Sequence, residues 1–292
     1  MPRAAALRLF APWIFVLLWS TGFLVARAVM PYADVQLFLV ARFGLTALVF
    51  VLAALAAGVA WPRGRVLGLH LLTGALMLGA YMGLSYWAIA RGLAAGIMAL
   101  LGALQPLFTA LIGGVLFHQR LSGRAWAGLA IGFAGVACVL APRIGLSGAG
   151  GLTPFGIILG LLGVLSVTVG TLLQKSPTTA GNDLRAAGVV QNLGGAAVTG
   201  LLFLTIGTPH WDPHPVLWGA LIWAALGLSV AGISLLVWMV RHGGATQATA
   251  LMLLVPPLAA LEAFFLFGET LTPVQLAGFA LALAGVGLTR RG

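Results

Sequence analysis

LFHQRLSGRAWAGLAIGFAG, residues 116–135, and LFGETLTPVQLAGFALALAG, residues 266–285, are two versions of one sequence 150 positions apart. Each runs apolar, turns through a short polar stretch, then runs apolar again with glycines along it. The turns differ in charge: Arg120 and Arg124 mark the first, Glu269 and no basic residue the second. The correspondence needs no gap. Arg91 falls on Arg241, Leu104 on Leu254, Pro106 on Pro256, Gly128 on Gly278 and Gly135 on Gly285. Leucine and alanine matches count for little in an apolar chain, so the prolines, arginines and glycines carry the argument. Self-similarity at one fixed offset means duplication.

The chain around this repeat is 61% hydrophobic and 7% charged over 292 residues. So few charges cannot cover a soluble protein of this size. Apolar stretches recur that are long enough for a hydrocarbon core of roughly 30 Å, which takes about 20 helical residues to cross. Lipid offers no partner to a free N–H or C=O, so the spans must be helices. The expected fold is an all-α integral membrane protein. Ten spans are read, near 11–26, 35–57, 69–90, 94–117, 124–141, 154–174, 186–206, 216–240, 246–267 and 273–289. The single Cys138 excludes a disulfide within the chain and is read as a small buried hydrophobe.

A net charge of +10 follows from membrane topology, without any nucleic-acid partner. With the N-terminus inside, eleven basic residues are cytoplasmic: Arg3, Arg8, Arg63, Arg65, Arg120, Arg124, Lys175, Arg185, Arg241, Arg290 and Arg291. Arg27, Arg91 and Arg143 fall outside. This bias puts both termini in the cytoplasm. The first span has a rival reading as a signal peptide ending at Ala26-Arg27-Ala28. Its removal would break the pairing of the spans. Ten spans make two units of five, residues 1–145 and 152–292, joined by the glycine-rich GLSGAGG at 145–151. Five is odd, so the second unit enters the membrane inverted, and the two turns face opposite sides. Two inverted five-helix repeats are a frequent architecture of secondary transporters.

Pro106 lies midway through the fourth expected span, and Pro256-Pro257 midway through the ninth. Proline removes a helical donor and clashes with the preceding turn. Breaks at corresponding places in two repeats point to a midplane binding site. Polar and aromatic residues collect nearby: Trp19, Ser20, Tyr81, Ser85, Gln105, Ser166, Trp238 and Gln247. Arg42 and Glu262 are charged residues inside spans, where charge is paired or functional. The sequence leaves open a mutual ion pair, proton coupling through Glu262, and snorkelling. HWDPH at 210–214 has prolines that spoil a metal-binding face. No P-loop, metal cluster or nucleophile–base set appears, so no cofactor, no metal and no enzyme chemistry are expected.

LLWSTGFLVAR (17–27), ARFGLTAL (41–48) and the stretch from 92 to 136 with its second copy resemble the drug/metabolite transporter superfamily, EamA type. Within it the chain is similar to aromatic amino-acid exporters. The resemblance implies ten helices in two inverted repeats and export of small metabolites across the inner membrane. It implies a central cavity lined by spans one, three, four, six, eight and nine. Trp19, Ser20, Tyr81, Ser85, Gln105, Ser166, Trp238 and Gln247 lie on those spans. The family often carries Glu at the end of span four, where this chain has Gln119; Glu269 keeps it in the second copy. The expected partners are a small-molecule substrate and the bilayer, with a monomer and proton coupling both compatible. A nucleotide-sugar or sugar-phosphate antiporter is the alternative carrier, with Arg42 its one candidate cation. A channel or a membrane-embedded enzyme are rivals of other classes.

Overall fold

The computed structural model describes residues 2–116, 122–140, 154–235, 238–239 and 254–290. Gln247, Gln119, Arg120 and the glycine-rich join fall outside them. Among the described residues the regular structure is helical, apart from an isolated bridge between Ala33 and Trp211. The first apolar run is α1 (Pro2–Ser20) and α2 (Gly22–Val29), followed by α3 (Val35–Ala56). The third is α4 (Gly64–Gly74), a π-helical turn (Ala75–Ala80) and α5 (Tyr81–Ala90). Then come α6 (Ala95–Ala103), α7 (Gln105–Leu116) and α8 (Gly123–Leu140). The later part holds α9 (Pro154–Gln174), the short α10 (Pro177–Ala180), α11 (Leu184–Ile206) and α12 (Pro215–Ile222). α12 continues as a π-helical segment (Trp223–Gly232), and α13 (Val255–Phe267) and α14 (Pro273–Arg290) close the chain.

Among the described residues seven stretches are long and apolar enough to cross a membrane: 10–29, 35–56, 64–90, 95–112, 154–174, 184–206 and 215–235. Three apolar helices, 123–139, 255–267 and 273–288, are shorter. The outward face is apolar, with Leu204 80% and Phe265 73% exposed. An apolar surface of this kind needs lipid against it. The protein is therefore an all-helical, multi-pass membrane protein. Cys138 is exposed, not buried as expected: it flanks the inward face formed by Gly135, Val136 and Val139, with its β-carbon beside Gly278 of the last helix.

Local sequence sets the helix boundaries. Asp34 opens α3 by accepting from the N–H groups of Gln36 and Leu37 at 2.9 and 3.1 Å. Asp183 opens α11 the same way through Arg185 N–H at 2.9 Å. The Arg185 side chain also hydrogen-bonds this carboxyl and holds its pKa down to about 2. Gly268 ends α13 in the left-handed region at φ 67°, where a β-carbon would be strained. Its neighbour Glu269 accepts from Ala95 N–H at 3.3 Å and so caps the start of α6. The carboxylate that the family resemblance singled out has this capping contact.

α6 is buried on every side, from Ala95 to Leu101, which is what an evenly apolar helix at the centre of a bundle requires. Around it the helices meet in pairs that repeat the 150-residue offset. α8 and α14 run antiparallel in backbone contact. Gly132 lies against Gly285, and Gly135 against Ala282; shifting either contact by 150 gives the other. A β-carbon on Gly285 would sit 2.7 Å from Gly128 O, and one on Gly278 2.7 Å from Gly135 O, again a reciprocal pair. α3 and α11 also cross antiparallel, with Phe50 beside Gly188, Phe43 beside Gly195 and Val40 beside Gly200. The π-helical turn at 75–80 maps by the same offset into the π-helical segment at 223–232.

At one end of the bundle the segments around 31–34 and 208–214 are clasped. Asp212 N–H donates to Tyr32 O at 2.6 Å, and Tyr32 stacks on His214 at 4.2 Å. Asp34 accepts from Thr208 N–H at 3.0 Å, and a His210 ring nitrogen lies 3.1 Å from Pro31 O. HWDPH thus serves as the fastening of a loop.

Gly135→Val and Gly285→Val should each lower the unfolding temperature by about 5 °C, the effect of an overpacking cost of about 2 kcal/mol. Gly123→Ala should leave it unchanged, since nothing lies within 4 Å of a β-carbon there. Thermal unfolding of the detergent-purified variants measures all three.

Candidate functional site

The polar residues of the spans collect where the helices are irregular. The fourth run breaks at Leu104, between α6 and α7. Pro106 has no N–H to give, so the chain tightens there: Leu104 N–H donates to Leu101 O at 3.0 Å and Leu107 N–H to Leu104 O at 2.8 Å. This break is where the sequence expected it. Pro256 has the matching place, the second residue of α13, as Pro106 is the second residue of α7; with Pro257 it lies in the first turn, where helical donors are free and proline is tolerated.

The first run breaks at Thr21, which proline does not explain. Thr21 donates back to Leu18 O at 2.8 Å, and Ser20 Oγ lies 2.9 Å from Leu17 O. Such back-bonding bends membrane helices. Trp223 Nε1 from the π-helical segment donates to Thr21 Oγ1 at 2.9 Å and fixes the bend.

The expected substrate residues fall into two groups. Trp19 and Trp238 belong to an apolar cluster with Phe15, Met239, Val255 and Leu258. Beside it Ser20, buried, donates to Glu262 Oε1 at 2.8 Å. The second group lines a seam between the third, fourth and sixth runs. Gln105 Nε2 donates to Thr171 Oγ1 at 3.0 Å, and Ser166 Oγ to Leu76 O in the π-helical turn at 3.0 Å. Ser85 is fully buried next to Gly163, and its hydroxyl has no partner. Tyr81 faces Gly102, where a β-carbon would lie 3.1 Å from its oxygen, and meets Phe23 edge-on at 6.1 Å. Gln247 lies outside the described residues. A surface depression near the clasp, lined by Arg27, Met30, Tyr32, Val216 and Phe267, contains none of the expected residues.

Arg42 and Glu262 do not pair. Among the described residues the one ion pair is Arg185–Asp183. Arg42 instead reaches Tyr86 Oη at 3.4 Å and Ser229 Oγ at 3.3 Å, and Tyr86 donates to Gly22 O at 2.8 Å. Glu262 attaches to Ser20, two residues earlier in the same bend. The bend at 20–22 therefore stands between the two charges. Among the described residues Glu262 Oε2 is buried without a partner. Snorkelling of Arg42 is excluded by its 3% exposure. Sequence reasoning did not assign Tyr86 and Ser229 to Arg42, and it missed both π-helical segments. The offset held one signal: ALMLGA at 75–80 falls on ALGLSV at 225–230.

These features match known proteins. The EamA-like transporter family matches residues 9–141 and again residues 154–291. A probable terminal-alkyne amino-acid exporter of Streptantibioticus cattleyicolor is 27% identical over 96% of this chain and 93% of its own. A probable amino-acid metabolite efflux pump of Salmonella typhimurium is 27% identical over 69% of each chain. An uncharacterized inner membrane transporter of Escherichia coli is 29% identical over 76% of this chain and 70% of its own. A solved crystal structure has the same fold, with a TM-score of 0.63 over 98% of both chains at 21% identity. With two family matches spanning nearly its whole length, the chain belongs to the EamA-like transporter family.

Proposed function

We infer that this protein is a secondary carrier that exports amino acids, the aromatic ones among them, or similar small metabolites across the inner membrane by alternating access. The observation that carries the reading is the reciprocal antiparallel contact of α8 and α14, Gly132 with Gly285 and Gly135 with Ala282. A contact that exchanges with itself under the 150-residue offset is what a two-fold axis between repeats produces. It supports ten spans in two inverted five-helix units, 1–145 and 152–292, with the basic bias placing both termini in the cytoplasm. Two similar bundles of opposite sense have inward-open and outward-open forms of similar energy. The relatives named as amino-acid exporters support the substrate class.

The solute path runs between the two groups of polar residues, past the breaks at Leu104 and Thr21. Gln105, Ser166, Ser85 and Tyr81 face it from one side. Ser20, Trp19 and Trp238 face it from the other, with Gln247 on the ninth span. Glu262, held by one serine and no cation, takes up and releases the coupling proton. The carrier acts as a monomer, since both repeats are in one chain.

Three measurements test this reading. In proteoliposomes, labelled amino acids should show saturable counterflow. Gln105→Ala and Gln247→Ala should each slow it about fivefold, the worth of a hydrogen bond of about 1 kcal/mol, without loss of folded protein; unchanged rates in both would remove these residues from the path. Glu262→Gln should abolish the response of uptake to a pH gradient and spare counterflow. In a Cys138→Ser background, His118→Cys and Thr270→Cys should be labelled from opposite faces of the membrane. Labelling from the same face overturns the inverted arrangement.

A further inference from the structure

The chain contains five carboxylate side chains, and none of them pairs with Arg42. Asp34 caps α3 and holds Thr208. Asp183 pairs with Arg185, Glu262 accepts from Ser20, and Glu269 caps α6. Asp212 lies in the clasp, its backbone bonded to Tyr32. Arg42 is 3% exposed, so in this conformation no lipid headgroup at the surface neutralises it. A guanidinium stays charged at any physiological pH, and an uncompensated buried cation is strongly unfavourable.

The surroundings of Arg42 are built to hold the cation and leave it unneutralised. Tyr86 and Ser229 have committed their own hydrogens, to Gly22 O at 2.8 Å and Ala224 O at 3.0 Å. They therefore present lone pairs to the guanidinium, at 3.4 and 3.3 Å. Among the described residues two long neutral bonds leave most of its five donors unused, and Nε has no partner. The free Nε edge is the side on which a guanidinium grips two oxygens at once.

We propose that Arg42, oriented by Tyr86 and Ser229, is the binding site of a small monovalent anion, with a carboxylate fitting its free edge best. The proposal rests on the carrier reading to name the substrate's own carboxylate as the ligand in transport; a halide supplies the same charge from solution. The site specifies a solute class: those bearing a carboxylate, as against the corresponding amines.

The test uses the full-length protein. Unfolding temperature is compared in sodium isethionate, acetate and chloride at equal ionic strength. For wild type, acetate or chloride should raise it by ~3 °C over isethionate. Arg42→Gln should abolish the shift. Arg42→Lys should keep the chloride shift and lose most of the acetate shift. No shift in wild type, or the same shift in Arg42→Gln, overturns the proposal. If Arg42→Gln does not fold, Ser229→Ala decides: a reduced shift supports the site and an unchanged one overturns it. Counterflow separates the two sources. If the substrate supplies the anion, an amino acid outpaces its decarboxylated amine at least tenfold with no chloride present. If chloride does, transport of both requires chloride. An anion shift without amino-acid flux leaves the site standing and removes the carrier reading instead.

Discussion

Hydrocarbon cannot accept or donate a hydrogen bond, and this constraint accounts for most of what is irregular here. Each carbonyl released by a bend or a π-helical turn has to be answered from inside the bundle. Ser166 answers Leu76, Ser229 answers Ala224, and Tyr86 answers Gly22. The hydroxyls scattered through the spans are therefore the partners that make broken helices tolerable at membrane depth. Breaks and hydroxyls occur together.

The bend at Ser20–Gly22 is the point where these demands converge. Its side chains and carbonyl connect to Glu262, Trp223 and Tyr86, from three other parts of the bundle. Through Tyr86 it reaches Arg42 and Ser229 as well. A movement of the first span would disturb both intramembrane charges together. In a bundle whose remaining contacts are largely leucine, alanine and glycine, such a polar junction has only a few discrete arrangements.

Much of this was legible in the sequence because it depends on patterns that few residues can disguise. Long apolar runs, and prolines and glycines recurring at one offset, are such patterns. The break at Pro106 followed from the missing donor alone. The partners of Arg42 and Glu262 were not legible, because they depend on which face of one helix meets which face of another. In helices apolar all round, with almost no amphipathic signal, nothing in the residue order fixes that rotation. The π-helical segments escaped for a related reason. A π-turn differs from an α-turn by one residue of register and has no compositional marker. Pro256 stands at the second residue of α13 as Pro106 does in α7, so the two prolines share one position under the offset.

The contact of α8 with α14 has a consequence for how the two copies can diverge. When a surface meets its own twin, any exchange of side chain is encountered twice, and a bulky one collides with itself. Once both twins lie on one polypeptide, each can change alone. Gln275 on α14 donates to Val139 O at 3.0 Å, while Ala125, its counterpart 150 residues earlier, has no amide to return the gesture. Through that small inequality one copy now holds its twin by a bond that the other does not return.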